Sequence, residues 1–250
     1  MDTTTARRAA GDGEHERPLD LRSGWPGLAD AFARLGGEDH EQVWSDLWND
    51  LCHLNCVDDD SFPALPYLAA IADGRAPGAP EEAVSMAGLI VSAADGEQTA
   101  RYAEEIAVFL RTARRLLGGT GDDTAAFVYL LQGILAFEGE RVWSTGRLEG
   151  LFTEEYEVDC PACSSTLFVA FGAYGTFASA GDYVTSDPVR AALLPADPAA
   201  LDPLPARLHR MATEAGQERV AHRLTYLFGR ATCPDCEEVF AVADQVLETC

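Results

Sequence analysis

Apolar residues recur every three or four positions through most of the first 150 residues, after which the pattern turns to short β-branched and aromatic runs. Leu28, Ala31, Phe32 and Leu35 follow helical spacing, and Gly36-Gly37 stops the run. Glu38 to Leu54 carries the stripe Val43, Trp44, Leu47, Trp48, Leu51 and Cys52. Two tryptophans four apart on such a stripe predict core packing rather than a ligand groove. Ser61 is expected to N-cap a helix over Phe62 to Ala72, with Pro63 tolerated in the first turn, where amides lack intrahelical partners. Breaks at Asp73-Gly74 and Pro77-Gly-Ala-Pro80 precede a helix from Pro80 to Ala94, and Gln98 to Leu117 reads as one long helix. Asp122 and Asp123 suit the start of the next helix, which carries Phe127, Leu130, Leu131, Ile134, Leu135 and Phe137. No strand precedes Gly118-Gly-Thr-Gly121, so it reads as a helix–helix turn rather than a phosphate cradle. Six or so helices joined by short Gly or Pro loops predict an all-α array of stacked pairs.

From Gly150 onward the expectation changes. Phe152 to Phe177 reads as strand, with Gly172 and Gly175 bracketing a turn. Asp187 to Pro205, rich in Pro, Ala and Asp, reads as a linker or loosely helical piece, and Ala206 to Phe228 regains helical spacing. Residues 1 to 22 are polar and charged without periodicity, and read as a disordered tail.

Two cysteine pairs lie in the strand-like part, Cys160-Pro161-Ala162-Cys163 and Cys233-Pro234-Asp235-Cys236. Each sits on a turn beside strand-like residues. Zinc takes four ligands in a tetrahedron, and Cys-x-x-Cys lets two thiolates from one turn reach one metal. Cys160, Cys163, Cys233 and Cys236 are therefore expected to hold one structural Zn²⁺, with a closed shell that leaves no place for a catalytic water. Two rivals stand beside this reading. In a redox site the first cysteine would open a helix, yet strand-like residues follow both pairs here. Disulfides would need an oxidising compartment, which no other feature of the chain supports.

Charge narrows the chemistry. The 250-residue chain has a net charge of −23 and 18 basic residues, every one an arginine. Without lysine there can be no phosphate-loop lysine, Schiff base or pyridoxal phosphate anchor. The acidity opposes binding to duplex nucleic acid or anionic membranes, and the arginines at 207, 210, 219, 223 and 230 are the one feature favouring nucleic acid. No apolar run is long enough to span a membrane and no secretory pattern opens the chain, so the expected location is reducing cytoplasm. Cys250 is expected to be an exposed thiol.

Trp44-Ser-Asp-Leu-Trp48-Asn-Asp-Leu51-Cys-His53, followed by Ser61-Phe-Pro-Ala-Leu-Pro66-Tyr-Leu68, resembles a segment of poorly characterised bacterial HEAT-like helical proteins, some of which end in Cys-Pro-x-Cys knuckles. The resemblance implies a helical scaffold and no established activity. The chain departs from it at Leu54-Asn55-Cys56. The expected fold is mainly α: a helical-repeat domain over 23–150, then a small β zinc ribbon over 151–250 with a helical insertion at about 187–228. The expected function is a non-enzymatic, zinc-stabilised interaction module for a basic protein partner, immunity- or antitoxin-like, since an acidic inhibitor can be steered electrostatically to a basic toxin. The alternative is an enzyme or redox-responsive protein with its chemistry around Cys52, His53 and Cys56. Against it, cysteines one helical turn apart are an unusual zinc spacing and pack readily as small apolar groups.

Overall fold

The computed structural model describes residues 27–52 and 57–248. A helical region comes first: α1 (Leu28–Arg34), α2 (His40–Leu51), α3 (Leu65–Ala72), α4 (Pro80–Ser92), α5 (Gly96–Arg101), α6 (Ala103–Leu117), α7 (Thr124–Phe137) and the short α8 (Gly150–Thr153). The expected stripe is the core: Trp44, Leu47, Leu51, Leu65 and Leu68 are all buried. Trp48 is half-buried at the rim, where its indole N–H donates to Glu82 over 3.1 Å. Helices α3 and α4 form one hairpin and α6 and α7 another, and the hairpins stack with α3 against α6 and α4 against α7. Gly88 and Gly133 make the α4–α7 contact possible, because a Cβ on Gly88 would lie 2.9 Å from the Gly133 Cα.

Two helix boundaries differ from the sequence expectation. Ser61 caps nothing; its hydroxyl is buried and donates to the Leu51 carbonyl at 2.8 Å. Residues Asp59–Ala64 instead form a 3₁₀ turn containing Pro63, and α3 starts only at Leu65, because two prolines three apart deny the backbone amides that a continuous helix needs. The long helix expected from Gln98 breaks at Tyr102. Asp95 and Gln98 form a reciprocal capping box that starts α5 at Gly96, and Tyr102, with φ −106° and ψ 23°, leaves the helical conformation and separates α5 from α6. Asp123 caps α7 as expected, accepting from the Ala126 amide at 2.9 Å.

The second part is a six-stranded antiparallel meander: β1 (Glu155–Asp159), β2 (Thr166–Gly172), β3 (Gly175–Ser179), β4 (Arg190–Leu194), β5 (Arg230–Thr232) and β6 (Val239–Ala241), each paired with the next. It is larger than the small ribbon expected. The difference is β4, which lies where a linker or helical piece was expected. Arg-Ala-Ala-Leu-Leu lacks β-branched residues, and it is extended because β3 and β5 supply ladder partners on both sides. Helices α9 (Pro203–Glu214) and α10 (Glu218–Leu227) are inserted between β4 and β5, and α11 (Val242–Glu248) follows β6 and packs on β1. Alternate residues of the sheet, among them Tyr156, Val158, Leu167, Val169, Phe171, Leu193 and Phe240, face the core.

The inserted helices tie the sheet to the helical region. The Gln217 side-chain amide donates to the Gly121 carbonyl at 2.6 Å, and Arg207 pairs with Glu138 at 2.6 Å. Arg223, almost wholly buried, donates to the Leu151 carbonyl at 2.7 Å and to the Glu154 carboxylate. Among the described residues no helix is long and apolar enough to cross a membrane. The tail at 1–22, His53, Cys56 and Cys250 lie outside the described residues.

Candidate metal centre

Two hairpin turns at opposite ends of the meander build the site. Residues 160–165 connect β1 to β2, and residues 233–238 connect β5 to β6. The turns have the same backbone. In the first, the Cys160 amide donates to the Ser165 carbonyl at 2.9 Å and the Ser164 amide to the Cys160 carbonyl at 2.9 Å. In the second, the Cys233 amide donates to the Glu238 carbonyl at 2.8 Å and the Glu237 amide to the Cys233 carbonyl at 3.0 Å. Pro161 and Pro234 follow the first cysteine, where a fixed φ favours turning, and Ser164 and Glu237 take the left-handed region with φ of 57° and 62°. The repeated Cys-Pro-x-Cys-x-x sequence therefore encodes one knuckle twice.

Because the sheet is curled, these turns meet. The four sulfurs lie within 4.8 Å of one another. Cys160 Sγ is 3.6 Å from Cys236 Sγ, and Cys163 Sγ is 3.8 Å from Cys233 Sγ. A tetrahedron with metal–sulfur bonds of about 2.3 Å has edges of about 3.8 Å, whereas a disulfide brings its sulfurs to about 2.05 Å. The spacing is that of a metal shell, and all four cysteines are free thiols. Cys160 and Cys233 are buried, and Cys163 and Cys236 are exposed.

The electrostatics fit the same arrangement. Hydrogen bonding from the Ser165 side chain and main chain pulls Cys163 down to about 6. Burial pushes Cys233 up. The Glu238 amide favours the Cys236 thiolate, but hydrogen bonding with Cys163, together with burial and the other two sulfurs, pushes that thiol up to about 12. Cys163 is therefore ready to ionise, whereas Cys233 and Cys236 resist giving up their protons in this crowded cluster. A divalent cation at their centre would remove the conflict. Ser165, 3.3 Å from Cys163 Sγ, is the one contributor not anticipated from the sequence; its place two residues after the second cysteine of the knuckle was the available signal.

The other sequence candidates are not brought into this site. Cys52 is buried in the helical core, and burial alone pushes its thiol up to about 12, which leaves it protonated and unreactive at neutral pH. Of the arginines that could have suited nucleic acid, Arg207, Arg210 and Arg223 each face a carboxylate of this chain. Comparison with protein-family models, curated proteins and solved structures finds no match, so the HEAT-like resemblance gains no support from them. The chain is marked instead by its mixed architecture, helices first and then a curled antiparallel sheet carrying four clustered cysteines.

Proposed function

We propose that Cys160, Cys163, Cys233 and Cys236 bind one Zn²⁺ as a structural ion, and that the protein is a non-enzymatic interaction module presenting an acidic surface to a basic protein partner. The observation that carries the metal reading is the convergence of four sulfurs, from two matching knuckles, at tetrahedral edge distances. Four thiolates saturate zinc, so the ion fastens the two outer hairpins together rather than activating water. The stacking of α3/α4 on α6/α7 supports reading the helical region as a HEAT-like scaffold.

The net charge of −23 favours steered association with a basic protein, an immunity-type role among the possibilities of that class. Elemental analysis of protein purified under reducing conditions tests the metal part. About one zinc per chain is expected, and chelation should lower the melting temperature. A metal-free protein of unchanged stability would defeat it. Affinity capture with the product of the neighbouring gene, repeated across a salt series, tests the partner part. A salt-sensitive complex is expected, and salt-insensitive capture or none contradicts it.

A further inference from the structure

The outward face of the sheet has a chemistry of its own. Strand alternation turns Glu155, Glu157 and Asp159 of β1 outward, with Phe168 opposite Glu157 on β2. The segment joining β3 to β4 lays Tyr183 on this face. Its ring meets Phe177 at 5.0 Å, Tyr174 at 5.6 Å and Phe168 at 6.3 Å, all edge to face, and its hydroxyl donates to the Glu155 carboxylate. Tyr174 is 57% exposed and Val184 59%, so the two present apolar surface beside these rings. The same face already holds one guanidinium: Arg190 lies 4.3 Å over the Phe177 ring, with the Asp187 carboxylate 3.8 Å away. This arginine of the chain thus has an aromatic face beneath it and a carboxylate nearby.

We propose that the exposed Tyr174–Tyr183 aromatic surface, bordered by Glu155 and Glu157, docks an arginine-bearing extended segment of a basic protein partner. This rests on the reading of the protein as an acidic interaction module, and it assigns the face. A guanidinium stacks on rings and forks onto carboxylates, whereas an ammonium is a compact and strongly hydrated point charge, so arginine is preferred over lysine. The border carboxylates repel both nucleic-acid phosphates and anionic lipid.

Labelled octa-arginine and octa-lysine peptides, titrated into the full zinc-loaded chain at moderate ionic strength, test the assignment. Tyr174→Ala removes an exposed ring and no charge. It should weaken octa-arginine about fivefold and erase the preference over octa-lysine. Glu157→Arg should weaken it further, while Glu97→Gln, in α5, should change it less than about twofold. Zinc content and circular dichroism establish that each variant is folded. Equal binding of octa-arginine by wild type and Tyr174→Ala would overturn the assigned face while leaving a basic partner possible elsewhere. Failure of the wild type to bind either peptide, even at low salt, would overturn the acidic-module reading and this face with it.

Discussion

Ser164 and Glu237 hold the two knuckles in shape at a local cost. Each has a Cβ in the left-handed region, where an L-residue is disfavoured by roughly 1–2 kcal/mol. Ser164→Gly should therefore raise the melting midpoint of the metal-loaded protein slightly, and Ser164→Val should lower its stability by about 1–2 kcal/mol. Thermal melts of the two variants check this, and the same midpoint for both would mean that the turn is not held as described. Cys52 offers a test by pH. Its folded-state value, raised to about 12 by burial, lies above that of an unfolded thiol, near 8.5. The stability this contributes is complete below the unfolded value and is lost as pH rises from about 9 towards 12. Iodoacetamide should accordingly leave Cys52 unmodified at pH 8 until denaturant is added, as read by peptide mass mapping. The four clustered cysteines were legible in the sequence because Cys-Pro-x-Cys is a local signal that needs only one turn. The left-handed residues were not, since neither serine nor glutamate advertises a positive φ.

At the scale of elements, packing decides what the hydrophobic pattern leaves open. The helices containing Trp44, Leu65, Phe109 and Phe127 were readable because their buried stripes follow helical spacing. Strand β4 was not readable, because what makes Arg190–Leu194 extended is its neighbours, β3 across a loop and β5 across the helical insertion. The contact between α4 and α7 depends on two glycines that sequence periodicity ignores. Gly88→Ala places its methyl group against the Gly133 backbone, which has no flexible side chain to yield. A loss of about 1–3 kcal/mol is expected in denaturant melts, despite alanine's better helix propensity. A gain would show that the helices separate freely. The insertion helices have a comparable dependence on Arg223. Removing this buried guanidinium leaves the Leu151 carbonyl without its donor, while Glu154 keeps the Ala173 amide, and Arg223→Ala should cost about 1–3 kcal/mol, read in the same melts.

Across the whole molecule, the cysteine cluster does what the ladder hydrogen bonds cannot. The meander pairs each strand only with its sequence neighbours, so β1 and β6 are not linked through the ladder. The four clustered sulfurs bring the turn after β1 against the turn before β6, where the proposed zinc would join them, and α11, leaving β6, packs against β1 on the same side. Helices α9 and α10 hang from the sheet between those two turns and grip the helical region through Gln217, Arg207 and Arg223. Cys160→Ser should thus expose the region after Gly150 to protease first, with protection of α9 and α10 falling alongside the sheet. The stacked α3/α4 and α6/α7 hairpins, which bury many apolar side chains between themselves, should persist longer. X-ray absorption at the zinc edge tests the central claim most directly. Four sulfur neighbours at about 2.3 Å, with no oxygen or nitrogen in the shell, are the expected result. A shell containing light atoms, or protein that folds fully without zinc, would contradict it.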